Sequence, residues 1–297
     1  MRYAVSESIV FKLYVLQEKQ PFSWKITSQS NWFRWNLAEL WQYRGLLNSF
    51  VRRDLIANYQ QTVLGPFWIF LQPALTTIVY WIIFSKIAKV STESVPPLLF
   101  YLPGVIVWSY FSDCLNGSMY TFMQNASLFG KIYFPRLLVP MGNIVSHSIR
   151  MSVQLLFFLL LYAWYFFTTT TVAPGLHILL LPFLMLLTAL FSLGAGLIMS
   201  VVTAKYRDLD YTLQFLLRLF MFATPVVYPA GIVPEKYEFL FWLNPLTPVI
   251  ETFRAAFFSH NPIHASYLFI SVITVLIVLC TGLALFKKRE LKIMDII

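Results

Sequence analysis

From residue 67 to residue 85 the chain carries no charged side chain. A helix needs about 20 consecutive apolar residues to cross a bilayer, and this run supplies them. In hydrocarbon every backbone polar group must be satisfied inside the protein, so a chain built around such a run folds as membrane helices. The residues just before it are of another kind. Over 54–63, Leu55, Ile56, Tyr59 and Val63 recur at helical spacing, while Asp54, Asn58 and Gln61 take the opposite face. Gly65-Pro66 then breaks the helix, and Pro66 suits the first turn of a new one. The pattern predicts an amphipathic helix that lies along the membrane surface, turns at Gly65-Pro66 and dives. Arg52 and Arg53 mark the side it leaves as cytoplasmic.

The rest of the chain extends this reading. Of its 297 residues 58% are hydrophobic and only 12% charged, where soluble domains carry about 25% charged residues. Strands of a membrane barrel would alternate polar and apolar instead of running apolar throughout. The expected fold is therefore an all-α integral membrane protein. A cytoplasmic segment, 1–66, holds amphipathic interfacial helices, one of them starting near Asn31 and rich in tryptophan. A transmembrane domain, 67–297, holds six transmembrane helices at 67–85, 98–123, 140–167, 176–202, 211–227 and 265–286. Pro234, Asn244-Pro245 and Pro248 cut 229–262 into pieces too short to cross, so two short re-entrant helices are expected there on the external side.

Charge sets the orientation. Sixteen Lys and Arg fall on segments placed inside, and four (Lys86, Lys89, Lys236 and Arg254) on segments placed outside. Both termini then lie in the cytoplasm. The formal net charge of +9 comes from basic residues beside helix ends, so it argues for lipid headgroups and not for nucleic acid. The two cysteines, Cys114 and Cys280, sit in apolar runs with no disulfide or metal spacing. The N-terminus lacks the apolar core and cleavage site of a signal peptide. No GxxxxGK loop, HExxH or GxSxG is present. The expectation is a chain that is not an enzyme and holds no cofactor; if it uses ATP, another subunit binds the nucleotide and its magnesium.

Five motifs occur in order: RRDLIANYQQTVLGPFW, LFGKIYFPR, KYRD, FATPVVYP and NPLTPVIETFR. Together they resemble the permease subunit of bacterial ABC exporters that move polysaccharides, closest to O-antigen permeases and similar to capsule and teichoic-acid exporters. The resemblance implies a homodimer with two copies of an ATPase subunit beneath it, exporting a lipid-linked polysaccharide across the inner membrane. It implies that the corner carrying Leu128, Phe129, Lys131, Tyr133, Phe134 and Arg136 couples to the ATPase, with Tyr206, Arg207 and Asp208 as a second contact. An ordinary basic loop with interfacial aromatics would look the same by composition. The surface helix resembles the family's gate helix, where Arg52, Arg53, Asp54, Tyr59 and Gly65 would flank the entrance for the lipid pyrophosphate; contact with phospholipid headgroups is the plainer alternative. Trp68, Tyr101, Trp108 and Phe111 are candidate channel aromatics, with helix packing and interface belts as their alternative.

Two further readings come from the residues themselves. Asp113 lies eighteen residues before Lys131 and Arg150 nineteen after it, so a hairpin brings them to similar depth. Intramembrane charges are costly and pair, and these two are expected to form a pair. Ser192, Gly196 and Ser200 form a small-xxx-small stripe that predicts close helix packing. Rival functions are an ABC exporter of drugs or small lipids, an ion-coupled secondary transporter with Asp113 as its carboxylate, and a membrane-embedded transferase.

Overall fold

The computed structural model describes residues 37–60, 62–92, 95–168, 175–206, 208–258 and 265–294. Within them every regular element is helical. A short α1 (Leu37–Gln42) leads into α2 (Arg44–Tyr59), which buries Leu46, Phe50 and Val51. The surface helix thus starts ten residues earlier than its amphipathic pattern suggests and stops at Gln60, whose backbone is extended. The corner falls where expected. Gly65 has φ +52°, the left-handed region, and Pro66 follows in a 3₁₀ turn, Gly65–Phe67.

Among the described residues, five helices are long and apolar enough to cross a membrane, at Gly65–Ile87, Pro97–Met119, Leu138–Thr168, His177–Lys205 and Ala265–Glu290. The first contains α3 (Trp68–Tyr80) and widens into a π-helix over Trp81–Ile87. The others contain α4 (Pro97–Met119), α6 (Leu138–Thr168), α7 (Leu181–Lys205) and α11 (Ala265–Met294). Between α4 and α6 a nine-residue α5 (Thr121–Phe129) and the corner 130–137 reverse the chain. The helix expected over 211–227 is α8 (Leu209–Phe222). It has 14 residues, a rise of about 21 Å at 1.5 Å per residue. Pro225, which has no N–H to give the helix, stands just beyond its end. The expected pair of short helices is present as α9 (Glu235–Leu243) and α10 (Leu246–Phe257), broken at Asn244-Pro245.

Small residues set the closest approaches. A β-carbon on Gly194 of α7 would lie 2.7 Å from the Cα of Leu279 on α11, and one on Gly282 would run into the Gly194 carbonyl. On a second face of α7 a β-carbon at Gly196 would lie 2.9 Å from the Leu115 carbonyl of α4. Ser192 and Ser200 are fully buried on either side of it. The small-residue stripe is a packing seam, as the sequence suggests, and it faces α4, while Gly194 on another face of α7 meets α11. In lipid, where apolar surface gains nothing by leaving the solvent, such backbone proximity is what holds helices together.

Candidate functional site

The corner after α5 turns half of its side chains inward. Phe129 and Phe134 are buried, their ring centroids 5.6 Å apart, in a cluster that also holds Phe50, Phe122 and Phe286. Arg136 lies over the Phe129 ring and pairs with Glu290 of α11 at 3.7 Å, also donating to the Glu290 carbonyl. These three cannot fill a partner's groove or its acidic rim from this position, because they are used inside the protomer. Lys131 and Tyr133 point out, Tyr133 with 71% of its surface exposed, and Leu128 is half-buried. The corner therefore turns Lys131 and Tyr133 outward, keeps Leu128 at the edge of the buried cluster, and packs its inner face on α2 and α11. Tyr43 belongs to the same neighbourhood: its phenol is pushed up by burial, by the Glu39 carboxylate and by nearby Tyr133. At the second corner Tyr206 and Asp208 are exposed, with Lys205 over the Tyr206 ring; Arg207 lies outside the described residues.

Near the end of α2, before the Gly65 corner, Arg52 is exposed, and Arg53 pairs with Asp54 at 2.9 Å while its guanidinium covers the Phe50 ring. The side chain of Tyr59 lies outside the described residues. Trp68, just past Gly65, is 42% exposed. Of the candidate channel aromatics, Tyr101 and Phe111 are buried: Tyr101 meets Phe100 edge-on, and Phe111 stacks on Phe191. Trp108 is half-buried between Phe111 and Phe220. Burial within one protomer gives Tyr101 and Phe111 a packing role and leaves Trp68 and Trp108 as rings with an accessible face.

The α6 turn that carries Arg150 lies at the depth of Asp113 on α4, since His147 of that turn reaches the Asp113 carboxylate. Beside that carboxylate stands His147, one turn before Arg150, with Nδ1 3.9 Å from Oδ2.

A centre that the sequence reading missed is Arg254. Counted from sequence as an external charge, it is 1% exposed. It pairs with Glu251 at 2.9 Å and donates to the carbonyls of Val226 (3.0 Å), Tyr228 (3.3 Å) and Phe100 (3.3 Å). Its guanidinium also lies 4.0 Å from the centroid of the Phe100 ring. The chain after α8 is irregular at this point, and non-helical carbonyls at membrane depth need donors. Arg254 supplies them with its planar fork, which suits several acceptors at once. Gly104 on α4 leaves the room: a β-carbon there would sit 2.7 Å from the Val226 carbonyl and 3.3 Å from the guanidinium. The sequence signal was Glu251 and Arg254, three apart in an otherwise apolar, proline-cut segment.

A multi-helical membrane domain with a bolted basic corner on one face and a proline-broken helix pair on the other is the build of a transporter permease. The chain belongs to the ABC-2 type transporter family, whose profile matches residues 46–258. It is similar to the O-antigen export system permease protein RfbA of Myxococcus xanthus, with 28% identity over 86% of this chain and 96% of that one. It is also similar to RfbA of Klebsiella pneumoniae, with 26% identity over 89% of this chain and 98% of that one. A third relative is the polysialic acid transport protein KpsM of Escherichia coli, 26% identical over 80% of this chain and 91% of that one.

Proposed function

We infer that this chain is the permease of an ABC exporter that moves a polysaccharide of the O-antigen kind, carried on a lipid, across the bacterial inner membrane. The observation that carries this is the near full-length similarity to permeases named for O-antigen and polysialic acid export, on top of the family match. The chain itself is the membrane path and not the motor. ATP and magnesium belong to a separate ATPase, two copies beneath a homodimer of this chain, which grip it through Leu128, Lys131 and Tyr133 with Tyr206 to Asp208 as a second contact.

Six crossings fit the charges best. With five, the eight basic residues before Asp54 and the four after Phe286 would fall on opposite faces of the membrane. Counting α8 as the fifth of six restores both termini to the cytoplasm. Its short rise is completed by residues 223–228, which Arg254 keeps hydrogen-bonded. The α9–α10 pair then dips in from the outside and returns. Arg52 and Arg53 flank the entrance for the lipid pyrophosphate, where charge-assisted bonds to phosphate are strong.

The test is deletion of the gene in its native host. Loss of surface polysaccharide, with lipid-linked polymer trapped inside and recovery on complementation, is the expected result. Unchanged surface polymer with lost drug or small-lipid efflux would replace this reading with the rival exporter.

A further inference from the structure

Helix α4 is the most enclosed of the five long helices, with 72% of its apolar window buried against 11–44% in the others. Past Leu98, the residues it leaves open are Trp108, Ser109, Ser112, Asp113, Asn116 and Gly117. None is aliphatic. Ser109, Ser112, Asp113 and Asn116 share one face of the helix, at steps of three and four. A face turned to lipid would be apolar, and an aspartate held in hydrocarbon is costly. Yet the Asp113 side chain is 52% exposed. This face therefore meets water or something rich in hydrogen-bonding groups.

The neighbours make it a trough. On one side α8 runs antiparallel to α4 in constant register. Tyr120 donates to Asp210 at 2.6 Å, Gln214 donates to Asn116 Oδ1 at 2.7 Å, and Phe220 meets Trp108. That register brings exposed Arg218, one turn beyond Gln214, level with Ser112 and Asp113. On the other side α6 contributes Asn143, which donates to the Gly117 carbonyl at 2.8 Å, and His147. Gln154 donates to the Ile69 carbonyl at 3.3 Å, which puts the first turn of α3 two helical turns above His147 and Asp113. The trough thus begins just below the Gly65 corner, on the gate side.

We propose that this trough is a binding site for the sugar units of the incoming polymer, a specificity site at the cytoplasmic mouth of the path. The proposal rests on the exporter reading. The chemistry fits a polyhydroxyl chain: a carboxylate and amide oxygens accept from sugar hydroxyls, hydroxyls and Arg218 donate, and the Trp108 ring offers a flat face. The pyrophosphate is assigned instead to Arg52 and Arg53, where two adjacent cations offer charge-assisted bonds.

The experiment uses the full exporter, with its ATPase subunit stalled by a hydrolysis-blocking substitution, in host cells. Cys114 is replaced by alanine and Cys280 by serine, and single cysteines are introduced as Ser112→Cys, Asn116→Cys and, as a lipid-facing control, Leu160→Cys. Inverted membrane vesicles are treated with a charged, membrane-impermeant thiol reagent. Variants are compared only where they co-purify with the ATPase. The expected result is labelling at 112 and 116 but not at 160 in cells that cannot make the polymer, and loss of that labelling in cells that make it. Equal labelling in both strains would overturn the proposal, because the trough would then be wet but unoccupied by glycan. So would no labelling in either, or a disulfide between two copies through Ser112→Cys, which would show lipid or a second copy covering the face. Any of these in a host whose polymer export depends on the chain would sink the trough and leave the exporter reading standing.

Discussion

The rings of Phe50 and Phe134 lie 5.8 Å apart, centroid to centroid, and are almost wholly buried. One belongs to α2, which ends just before the Gly65 corner, the other to the corner 130–137. A push on Lys131 or Tyr133 therefore reaches α2 through the Phe50–Phe134 contact, backed by Phe129 and Arg136. Substituting Phe134→Leu keeps the site apolar and loosens this contact. Expected is an exporter that still assembles with its ATPase and hydrolyses ATP, but delivers several-fold less polymer to the surface. Phe134→Ala would go further, because deleting a buried phenylalanine costs about 3–5 kcal/mol and would lower the yield of folded protein. The comparison that decides is polymer exported per ATP hydrolysed, in Phe134→Leu against the parent.

Arg254 makes a second, sharper prediction. Removing one member of a buried charge pair costs about 3–5 kcal/mol, because the other is left uncompensated. Here Arg254→Met would strand Glu251 and three backbone carbonyls together. Arg254→Lys keeps the charge but not the fork, and would rescue only part. The pair Arg254→Met with Glu251→Met would be milder than Arg254→Met alone. Thermal unfolding of the detergent-solubilised protein should rank them parent, Arg254→Lys, then Arg254→Met, with the double variant above the last. If Arg254→Met melts with the parent, the guanidinium is not what holds the α8 exit.

Much of this architecture was legible in the sequence, for a physical reason: hydrocarbon forbids alternatives. Long uncharged runs had to be helices, Gly65-Pro66 had to be a corner, and Pro234 and Asn244-Pro245 had to cut what lay between them. What sequence could not give was direction. Phe129, Phe134 and Tyr133 look alike as interfacial aromatics, and only the packing of α2 and α11 sorts the two that turn inward from the one that turns out. Arg254 was misread because the positive-inside rule treats a charge as a marker of side, while a guanidinium with Glu251 three residues away can be buried as a structural clamp. The end of α8 was misjudged because the apolar run continues through Val226 and Val227 past the point where Pro225 ends the helix.

The α7–α11 seam predicts a contrast between glycines. Gly282→Ala would force a β-carbon into the Gly194 carbonyl, with backbone on both sides and no flexible side chain to yield. Separating the two helices should drop folded yield and melting temperature severely. Gly45, inside α2, has nothing within 4 Å of an added β-carbon. Gly45 is the second residue of α2, so Gly45→Ala should be neutral or stabilising by less than the roughly 0.5–1 kcal/mol gained in a helix interior. Fluorescence-detected size-exclusion of both variants, heated in parallel, reads the difference directly.

Gly65 tests the gate corner without disturbing any contact. Its β-carbon would meet nothing within 4 Å, so space is not the constraint; φ +52° is. An L-residue held there costs roughly 1–2 kcal/mol, small against the fold but large for a turn that sets where α2 ends and α3 begins. Gly65→Ala is expected to fold, insert and bind its ATPase normally while export slows, because the strain can be relieved only by rotating α2 against α3. Gly65→Asn, whose side chain tolerates the left-handed region, should recover most of the export that alanine loses. Matched export by Gly65→Ala and the parent would mean that the corner is only a connector. Equal loss in the alanine and asparagine variants would mean that the side chain itself, and not the backbone angle, is what the entrance rejects.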